Sequence, residues 1–415
     1  MFREVDVPAK SLLDHVPHSG EDAVREVESR GRALRGLKVL HLSSTSYGGG
    51  VAELLYTIVP LLRDAGIDAH WYVIEGAPEA FFEVTKKIHN SLQGMAAPLS
   101  ETEWNLYVEV NQALASGFPS DDWDVVVVHD PQPAAVRHFL RQSPLAGLSG
   151  CRWFWRCHID ISQPLESTWR GLHPYVNLHN GVIVTTGAYG RPEISVPIHE
   201  IAPSIDPTSP KNVVKSELEV RETLAAFGLD PSRRMIVQVS RFDPWKDPFG
   251  VVDSYRLVKE KHPDVQLALV GAIASDDPEG VRLLADLKRE AESDPDIHVL
   301  SNEDGVHAPE VAAFQLGADV VVQKSMREGF GLTITEAMWK ARPVVAGRAT
   351  GCALQITDGR DGFLVRTTPE CADRITQLLE NPELGESLGR AARETVRRRF
   401  LSTRHVLDYL TLFAG

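Results

Sequence analysis

Short runs of consecutive apolar residues recur along the chain, each followed by a stretch whose apolar positions fall three and four apart. LKVLHLS (37–43) reads as a buried strand. VAELLYTIVPLLRDAG (51–66) reads as the helix after it, with Leu54, Leu55, Ile58, Leu61 and Leu62 at helical spacing. Pro60 lies inside that run and is expected to kink the helix or shorten its regular part. HWYVIEG (70–76), WDVVVVHD (123–130), RWFWRCHID (152–160) and NGVIVTTG (180–187) read as further strands, with helices near 79–95, 101–116 and 132–142 between them. From Met235 the pattern restarts. Strand runs at 235–240, 265–271, 297–301, 318–325 and 343–347 alternate with helices near 248–261, 279–293, 308–316 and 331–340, and roughly 370–413 reads as helical throughout.

Continuous apolar strands alternating with helices imply parallel sheets covered on both faces. Two such series, joined by the polar, proline-rich SIDPTSPKN (204–212), predict an α/β protein of two Rossmann-like, doubly wound domains facing across a cleft. The first is assigned residues 1–205 together with a returning C-terminal helix at about 395–415, and the second residues 206–394. The halves share a pattern and not a sequence.

Composition narrows the function. The 415 residues are 43% hydrophobic and 24% charged, as in an ordinary globular protein, which excludes a disordered or collagen-like chain. Four scattered cysteines (Cys151, Cys157, Cys352, Cys371) make neither a disulfide framework nor a zinc site. A formal net charge of −14 argues against a general binder of nucleic acid or anionic membranes. Any anionic ligand must be held by a local basic cluster. The N-terminus lacks the apolar core of a signal peptide, and apolar runs as short as Val125–Val128 span no bilayer, so a cytoplasmic protein is expected.

Open parallel sheets bind ligands beyond the carboxyl ends of their strands, so chemistry is sought just after each strand. Gly48-Gly49-Gly50 follows the first strand and opens the first long helix. Consecutive glycines permit positive φ and close approach of a ligand, and a helix N-terminus favours an anion, so the triplet is either a phosphate or sugar contact or a tight turn. In SRFDPWKD (240–247), Arg241 and Lys246 can face one diphosphate; the alternative is a surface ion pair of Lys246 with Asp243 or Asp247. REGFGLTITEAMWK (327–340) places Glu328 in a strand-to-helix loop, Gly329 and Gly331 around Phe330 at the helix start, and Glu336 inside the helix. The glycine amides suit a phosphate, and Glu336 suits ribose hydroxyls.

In the first half, His129-Asp130 ends a strand and is followed by Pro131-Gln132-Pro133. Arg156, His158 and Asp160 end the next at period two, which puts them on one face, where they suit sugar hydroxyls. A metal site from His129, His158 and Asp160 is the rival reading, disfavoured because no third ligand has convincing spacing. DPD at 294–296 falls at the wrong sheet end and reads as a turn; Cys157, Trp153 and Trp155 read as core.

These residues resemble a known group. REGFGLTITEA, with Glu328 and Glu336 as E-x7-E, is similar to the signature of family-4 retaining glycosyltransferases of the GT-B fold. SRFDPWKD resembles that family's Arg/Lys diphosphate clamp, and Gly48–Gly50 its glycine loop. STSYGGGVAELL, VHDPQPAA, WRCHIDIS, PSIDP and VGAIASDDPEG narrow the likeness to the trehalose glycosyltransferring synthases, from about residue 37 to the C-terminus. Thr350-Gly351-Cys352 departs from the paired glycines of many relatives. The resemblance implies that Arg241, Lys246 and the amides of Gly329, Phe330, Gly331 and Leu332 hold the diphosphate. Glu336 would hold the ribose, and the segment around Asn302–Val306 the base. Glu328 and His158 would touch the donor glucose, and Asp130, Gln132, Arg156 and Asp160 the acceptor glucose.

The expected reaction joins the glucose of a nucleoside diphosphate glucose to free glucose, reversibly and with retention, to give α,α-trehalose. Glu328 is a tempting nucleophile, but the resemblance favours a front-face substitution in which Arg241 and Lys246 stabilise the departing diphosphate. No cofactor or metal is required on this account, and Mg²⁺ is at most stimulatory. A homodimer is the expected assembly. Transfer to another small sugar or a glucan, and a nucleotide-sugar-binding regulator without turnover, are the alternatives.

Overall fold

The computed structural model describes residues 1–47, 49–119, 122–141, 150–273 and 278–415. It divides into two units, Met1–Pro203 with Ser402–Gly415, and Ser204–Leu401.

In the first unit the strands are β1 (Phe2–Glu4), β2 (Lys38–Ser43), β3 (Asp68–Ile74), β4 (Val125–His129), β5 (Arg152–Arg156), β6 (Gly181–Val184) and β7 (Ile198–Glu200). They lie in the order β1-β3-β2-β4-β5-β6-β7, all parallel except the antiparallel edge strand β1. Strand periodicity sends alternate side chains to opposite faces. Leu40, Leu42, Val126, Val128, Trp153 and Trp155 pack with Phe81, Tyr107 and Trp169 of the helices Glu79–Leu92, Glu101–Ser116 and Glu166–Val176. Val39, Val125, Val127 and Phe154 pack the other way, with Val27, Ile58 and Phe413 of Glu21–Ala33, Gly50–Asp64 and Ser402–Ala414. Both faces are dry, which is why these strands read as unbroken apolar runs.

The second unit carries β8 (Met235–Val239), β9 (Gln266–Gly271), β10 (Ile297–Ser301), β11 (Val320–Gln323), β12 (Val344–Gly347) and β13 (Phe363–Val365). All are parallel, in the order β10-β9-β8-β11-β12-β13. This is the doubly wound arrangement, and its strand order reverses between β8 and β11. In the first sheet the reversal falls between β2 and β4. The crevices at these two reversals are where such sheets bind ligands.

Several local expectations are corrected. The helix Gly50–Asp64 runs through Pro60, so its regular part is not shortened. Burial of Leu54, Leu55, Ile58, Leu61 and Leu62 on both sides of the proline offsets one lost hydrogen bond. The helix expected at 132–142 shrinks to Val136–Leu140, because a residue preceding proline is kept out of the α region and Pro133 follows Gln132. Strand β5 stops at Arg156 instead of continuing to Asp160. The edge strands β1, β7 and β13, three residues each, are too short to show a period. The tail forms three helices, Thr368–Glu380, Pro382–Arg399 and Ser402–Ala414, and only the last belongs to the first unit. Asp294–Asp296 does form the expected turn, closed by the Ile297 N–H on the Asp294 carbonyl at 3.1 Å, and both carboxylates bind Lys259 Nζ, at 2.6 and 2.8 Å. Among the described residues no helix is long and apolar enough to cross a membrane.

One glycine shows how tightly the second unit is packed. A Cβ at Gly389, inside Pro382–Arg399, would lie 2.0 Å from the carbonyl oxygen of Ala341. Ala341 itself holds a φ of 56° just after the helix Leu332–Trp339. Alanine normally favours a helix over glycine by about 1 kcal/mol. Here the clash reverses the sign, and Gly389→Ala should destabilise the unit by about 1–3 kcal/mol. Denaturant titration checks this; an unchanged or raised midpoint would show that the helix shifts freely away from Ala341.

Candidate active site

In the second unit, two loops leave the sheet at its reversal point. After β8, Asp243 accepts the Trp245 N–H at 2.9 Å and closes a single turn. Asp247, at φ 49°, accepts the Gly250 N–H at 3.2 Å and caps the helix Pro248–Lys259. Gln238, a polar residue in apolar β8, donates from Nε2 to the Lys246 carbonyl at 2.8 Å. The Met326 N–H donates to the Trp245 carbonyl at 2.8 Å and ties the loop after β11 to the loop after β8.

Between these loops Lys246 Nζ meets Glu328 Oε2 at 2.6 Å, and Ser325 Oγ donates to the same oxygen at 3.1 Å. The surface pairing considered from sequence does not form. Asp243 is taken by Arg241, 3.3 Å from Nη2, and Asp247 by Lys324. Lys246 and Glu328 are largely buried, whereas the Arg241 side chain is 43% exposed. One cation is thus buried against a carboxylate, and the other is half-exposed in its pair with Asp243.

The glycine motif is shaped by the same carboxylate. Gly331 has φ 88° as it opens the helix Leu332–Trp339, and a Cβ there would lie 3.1 Å from Glu328 Cγ. Gln355, fully buried, donates to the carbonyls of Phe330, Gly331 and Gly351, and Thr335 Oγ1 donates to its oxygen. Phe330 packs inward against Phe400, so only its backbone can serve a ligand. Gly351 occupies a spot where a Cβ would lie 2.5 Å from the Glu328 carbonyl, and the Cys352 thiol is buried, which pushes its pKa up.

Glu336 is fully buried with Lys211 Nζ 3.1 Å from Oε1. Oε1 is engaged by that ammonium, while Oε2 has no hydrogen-bond partner among the described residues and keeps its lone pairs for a hydroxyl donor. At the end of β10, Asn302 accepts the Ile273 N–H at 2.8 Å and Val306 is buried, so these two side chains build the loop and leave recognition to its backbone.

In the first unit the strand ends at the reversal carry a polar cluster. His41 of β2, His129 of β4 and Arg156 of β5 share a face with Val39, Val127 and Phe154, beneath the helix Ser402–Ala414. His41 Nδ1 lies 3.0 Å from His129 Nε2, and His129 Nδ1 lies 2.8 Å from His158 Nε2. The last two rings stack, and Tyr409 meets His41 edge-on and stacks on His405. Arg156 is fully buried; Nη1 donates to the Val184 carbonyl at 3.4 Å, while Nε and Nη2 have no described partner. Asp130 takes a φ of 62°, accepts the His158 N–H at 2.9 Å through Oδ1, and its carbonyl accepts Trp155 Nε1–H at 2.8 Å. Strain of this kind is common where a side chain must be aimed.

The expectation that Arg156, His158 and Asp160 share one strand face is therefore wrong. The Asp130 carboxylate captures the His158 N–H, and Asp160 accepts both the N–H and the hydroxyl of Ser162 within its own loop, at 2.9 and 2.5 Å. Arg156 turns under the C-terminal helix, and Asp160 is a loop brace. Gln132 keeps a buried amide oxygen without a described partner, and Asn111 holds its carbonyl at 3.1 Å. Gly48 lies outside the described residues. Gly49 is extended at φ −177° and Gly50 is helical, so positive φ is not what requires glycine there. Among the described residues nothing lies within 4 Å of a Cβ at Gly49, apart from its chain neighbours. Among the described residues no three His, Cys, Asp or Glu side chains are grouped to hold a metal. Sequence reading missed His41, His405, Tyr409, Lys324, Lys211 and Gln355. Of these only His41, a lone polar residue inside VLHLS, had a visible signal.

Comparison with known proteins agrees with this geometry. Residues 220–395 match the family of group 1 glycosyl transferases, and residues 41–191 match the N-terminal domain of trehalose synthase. A solved UDP-forming α,α-trehalose-phosphate synthase from Burkholderia xenovorans shares the fold with a TM-score of 0.74, over 92% of this chain and 99% of that one, at 13% identity. Fold and site thus define an enzyme of the GT-B glycosyltransferase class. The chain is 46% identical to the trehalose synthase of Rubrobacter xylanophilus (100% of this chain, 99% of that one). It is 44% identical to that of Pyrococcus horikoshii (99% and 97%). It belongs to the trehalose synthase family.

The buried imidazoles fix a pH dependence. Burial lowers His41 from 6.5 to about 3. His129, His158 and His405 move the same way, burial leading and nearby imidazoles and guanidinium groups adding. Below about 6.5 an unfolded histidine takes a proton that these refuse, so stability falls as pH drops. Asp130, pushed up to about 6 by burial, opposes this, since it keeps a proton that the unfolded chain has released. The histidines outnumber it, and His41 alone should forfeit about 2 kcal/mol at pH 5. Denaturation midpoints at pH 7.5 and 5 check the sign; no loss at pH 5 would mean that the imidazole chain is hydrated.

Proposed function

We propose that this enzyme makes α,α-trehalose, reversibly, from a nucleoside diphosphate glucose and free glucose. The observation that carries the reading is the Lys246–Glu328 pair at the β8/β11 reversal, beside Arg241 and the Gly-Phe-Gly helix start. Two cations and a set of backbone amides suit a diphosphate, and a carboxylate next to them suits the hydroxyls of the attached sugar. The UDP-forming neighbour of this fold has a name in keeping with a nucleoside diphosphate leaving group.

The donor glucose is α-linked and both anomeric centres of the product are α, so the reaction retains configuration. In a front-face substitution the leaving phosphate takes the acceptor proton while Arg241 and Lys246 neutralise its growing charge. Lys246 then divides its hydrogen bonds between Glu328 and phosphate, and Glu328 turns its second oxygen to the sugar. The reading needs no bound metal, because these cations supply the charge. Asp130 and Gln132 take the acceptor glucose.

The imidazole chain sets what His158 presents to the sugar. His41 Nε2 is buried without a described partner, and a bare nitrogen there is cheaper than an orphaned N–H. The protons then sit on His41 Nδ1 and His129 Nδ1, each donating outward, and His158 accepts at Nε2. His158 is left with its proton on Nδ1, a donor fixed by its neighbours.

Incubation with a nucleoside diphosphate glucose should yield trehalose only when glucose is added, with and without a chelator. Diphosphate release without disaccharide would point to another acceptor, and no release to a binding protein without turnover. Arg241→Ala should cost about 2–4 kcal/mol of transition-state stabilisation and leave the fold intact. Lys246→Ala should lower activity similarly and also lower stability, because it leaves the Glu328 carboxylate buried without its cation. Near wild-type turnover in both variants would remove the diphosphate from this loop.

Asp130→Asn is the cleaner acceptor variant, since asparagine tolerates the left-handed backbone and still accepts the His158 N–H. It should weaken glucose use by about 1.5–3 kcal/mol, the range for a lost charged hydrogen bond. Nucleotide affinity, read by calorimetry, should stay constant. Weaker nucleotide binding with normal glucose kinetics would move Asp130 to the donor.

A further inference from the structure

The second unit has a cavity of about 550 Å³ away from its strand carboxyl ends. Pro231, Gly317 and Arg342, which precede β8, β11 and β12, line it, so it opens at the end of the sheet where those strands begin. Its volume falls in the range of small-molecule sites, roughly 300–1,000 Å³.

Its charge is the reverse of the chain's. Lys215, Arg221, Lys340, Arg342 and Arg393 line it, in a protein of net charge −14. Glu217 is the one lining carboxylate, and Arg221 takes it at 3.3 Å. Arg342 donates from Nη1 to the Ala318 carbonyl at 3.4 Å and has a buried Nε without a described hydrogen-bond partner; burial pulls its pKa down, partly offset by the Asp319 carboxylate. Lys340 Nζ donates to the Gln315 amide oxygen at 2.9 Å, the Glu336 carbonyl at 3.2 Å and the Asn212 amide oxygen at 3.3 Å, so it acts on the cavity as a charge and not as a free donor. Trp339 forms part of the wall, with the Arg393 guanidinium 4.9 Å from its ring centre. Cations gathered around a cavity repel one another until an anion enters.

We infer that this cavity is a second anion site, taking a phosphorylated small molecule and distinct from the diphosphate clamp at Arg241 and Lys246. Arg342 and Arg393 supply fork-shaped donors for a phosphate dianion, and the indole of Trp339 faces the organic part. The helix Leu332–Trp339 carries Glu336 on one side and ends in Trp339 at the cavity, and Lys340 grips the Glu336 carbonyl.

Calorimetry on the intact protein, with inorganic phosphate, a hexose monophosphate and an unphosphorylated hexose as probes, tests the inference. The hexose monophosphate should bind, and its affinity should fall at least about tenfold in Arg393→Glu and in Arg342→Gln, a loss of the size expected for a charge-assisted contact. Arg393 is exposed, so its variant keeps the test alive should Arg342→Gln fail to fold. Arg241→Ala and Asp130→Asn should leave this binding intact. Equal affinity for inorganic phosphate would show that the phosphoryl group alone is read, and tighter hexose monophosphate binding that Trp339 contributes; either supports the site. No saturable binding, binding unchanged in both cavity variants, or binding lost in Arg241→Ala would overturn it. A change of oligomeric state in Arg393→Glu without loss of probe binding would assign the surface to a second copy of the chain. Absence of nucleoside diphosphate binding while the probe still binds would count against the donor reading and leave this site standing.

Discussion

Each sheet of this protein is buried on both faces, and that constraint governs everything else about it. A strand covered by helices above and below has no place for a polar side chain except at its ends. The chemistry therefore collects beyond the last residues of β2, β4, β8 and β11, where the strand order reverses and the chain leaves the sheet in two directions. The two units meet the constraint differently. In the second, a single ion pair joins the loops from β8 and β11. In the first, the polar groups reach back under a helix and must satisfy one another.

The Lys246–Glu328 pair shows how two opposite charges are held in place at the end of a buried sheet. Both side chains are largely withdrawn from water, a situation that is costly for either alone and tolerable together. Gln238, Ser325, Gly331, Gly351 and Gln355 each act on this pair or its loops, through a hydrogen bond or through the room left by a missing Cβ. The result is a carboxylate and an ammonium held side by side near a helix start, with the half-exposed guanidinium of Arg241 paired to Asp243 on the same loop as Lys246.

In the first unit the three linked imidazoles follow a different physical logic. Burial keeps them neutral, and a neutral imidazole has one donor and one acceptor, so a chain of them has a direction. On the proposed reading, His41 Nε2, which has no described partner at the buried end, sets that direction. Arg156 lies in the same layer as a cation with two nitrogens lacking described partners, close to Tyr409 and the backbone of β6. The C-terminal helix is thus more than a cover for apolar residues. Through His405 and Tyr409 it supplies part of the environment that keeps these groups uncharged.

The sequence by itself determined the two doubly wound units, the strands that flank the reversals, and most residues of the candidate site. Long apolar runs, glycines at a helix start and charged residues just past a strand leave local traces, because strand and helix periods are properties of neighbouring residues. What partners those residues take is set by contacts across many positions. Lys246 was close in sequence to Asp243 and Asp247, yet it bonds to Glu328, 82 residues away, because Arg241 and Lys324 take the nearer carboxylates. Arg156, His158 and Asp160 had the spacing of one strand face. The strand ends early because Asp130, from a neighbouring strand, takes the N–H that would have continued it. Tertiary structure alone placed His405 and Tyr409 against His41, since their helix lies more than three hundred residues further along the chain. Periodicity is local and is legible in one dimension; hydrogen-bond competition among buried groups is decided only when the chain has closed on itself.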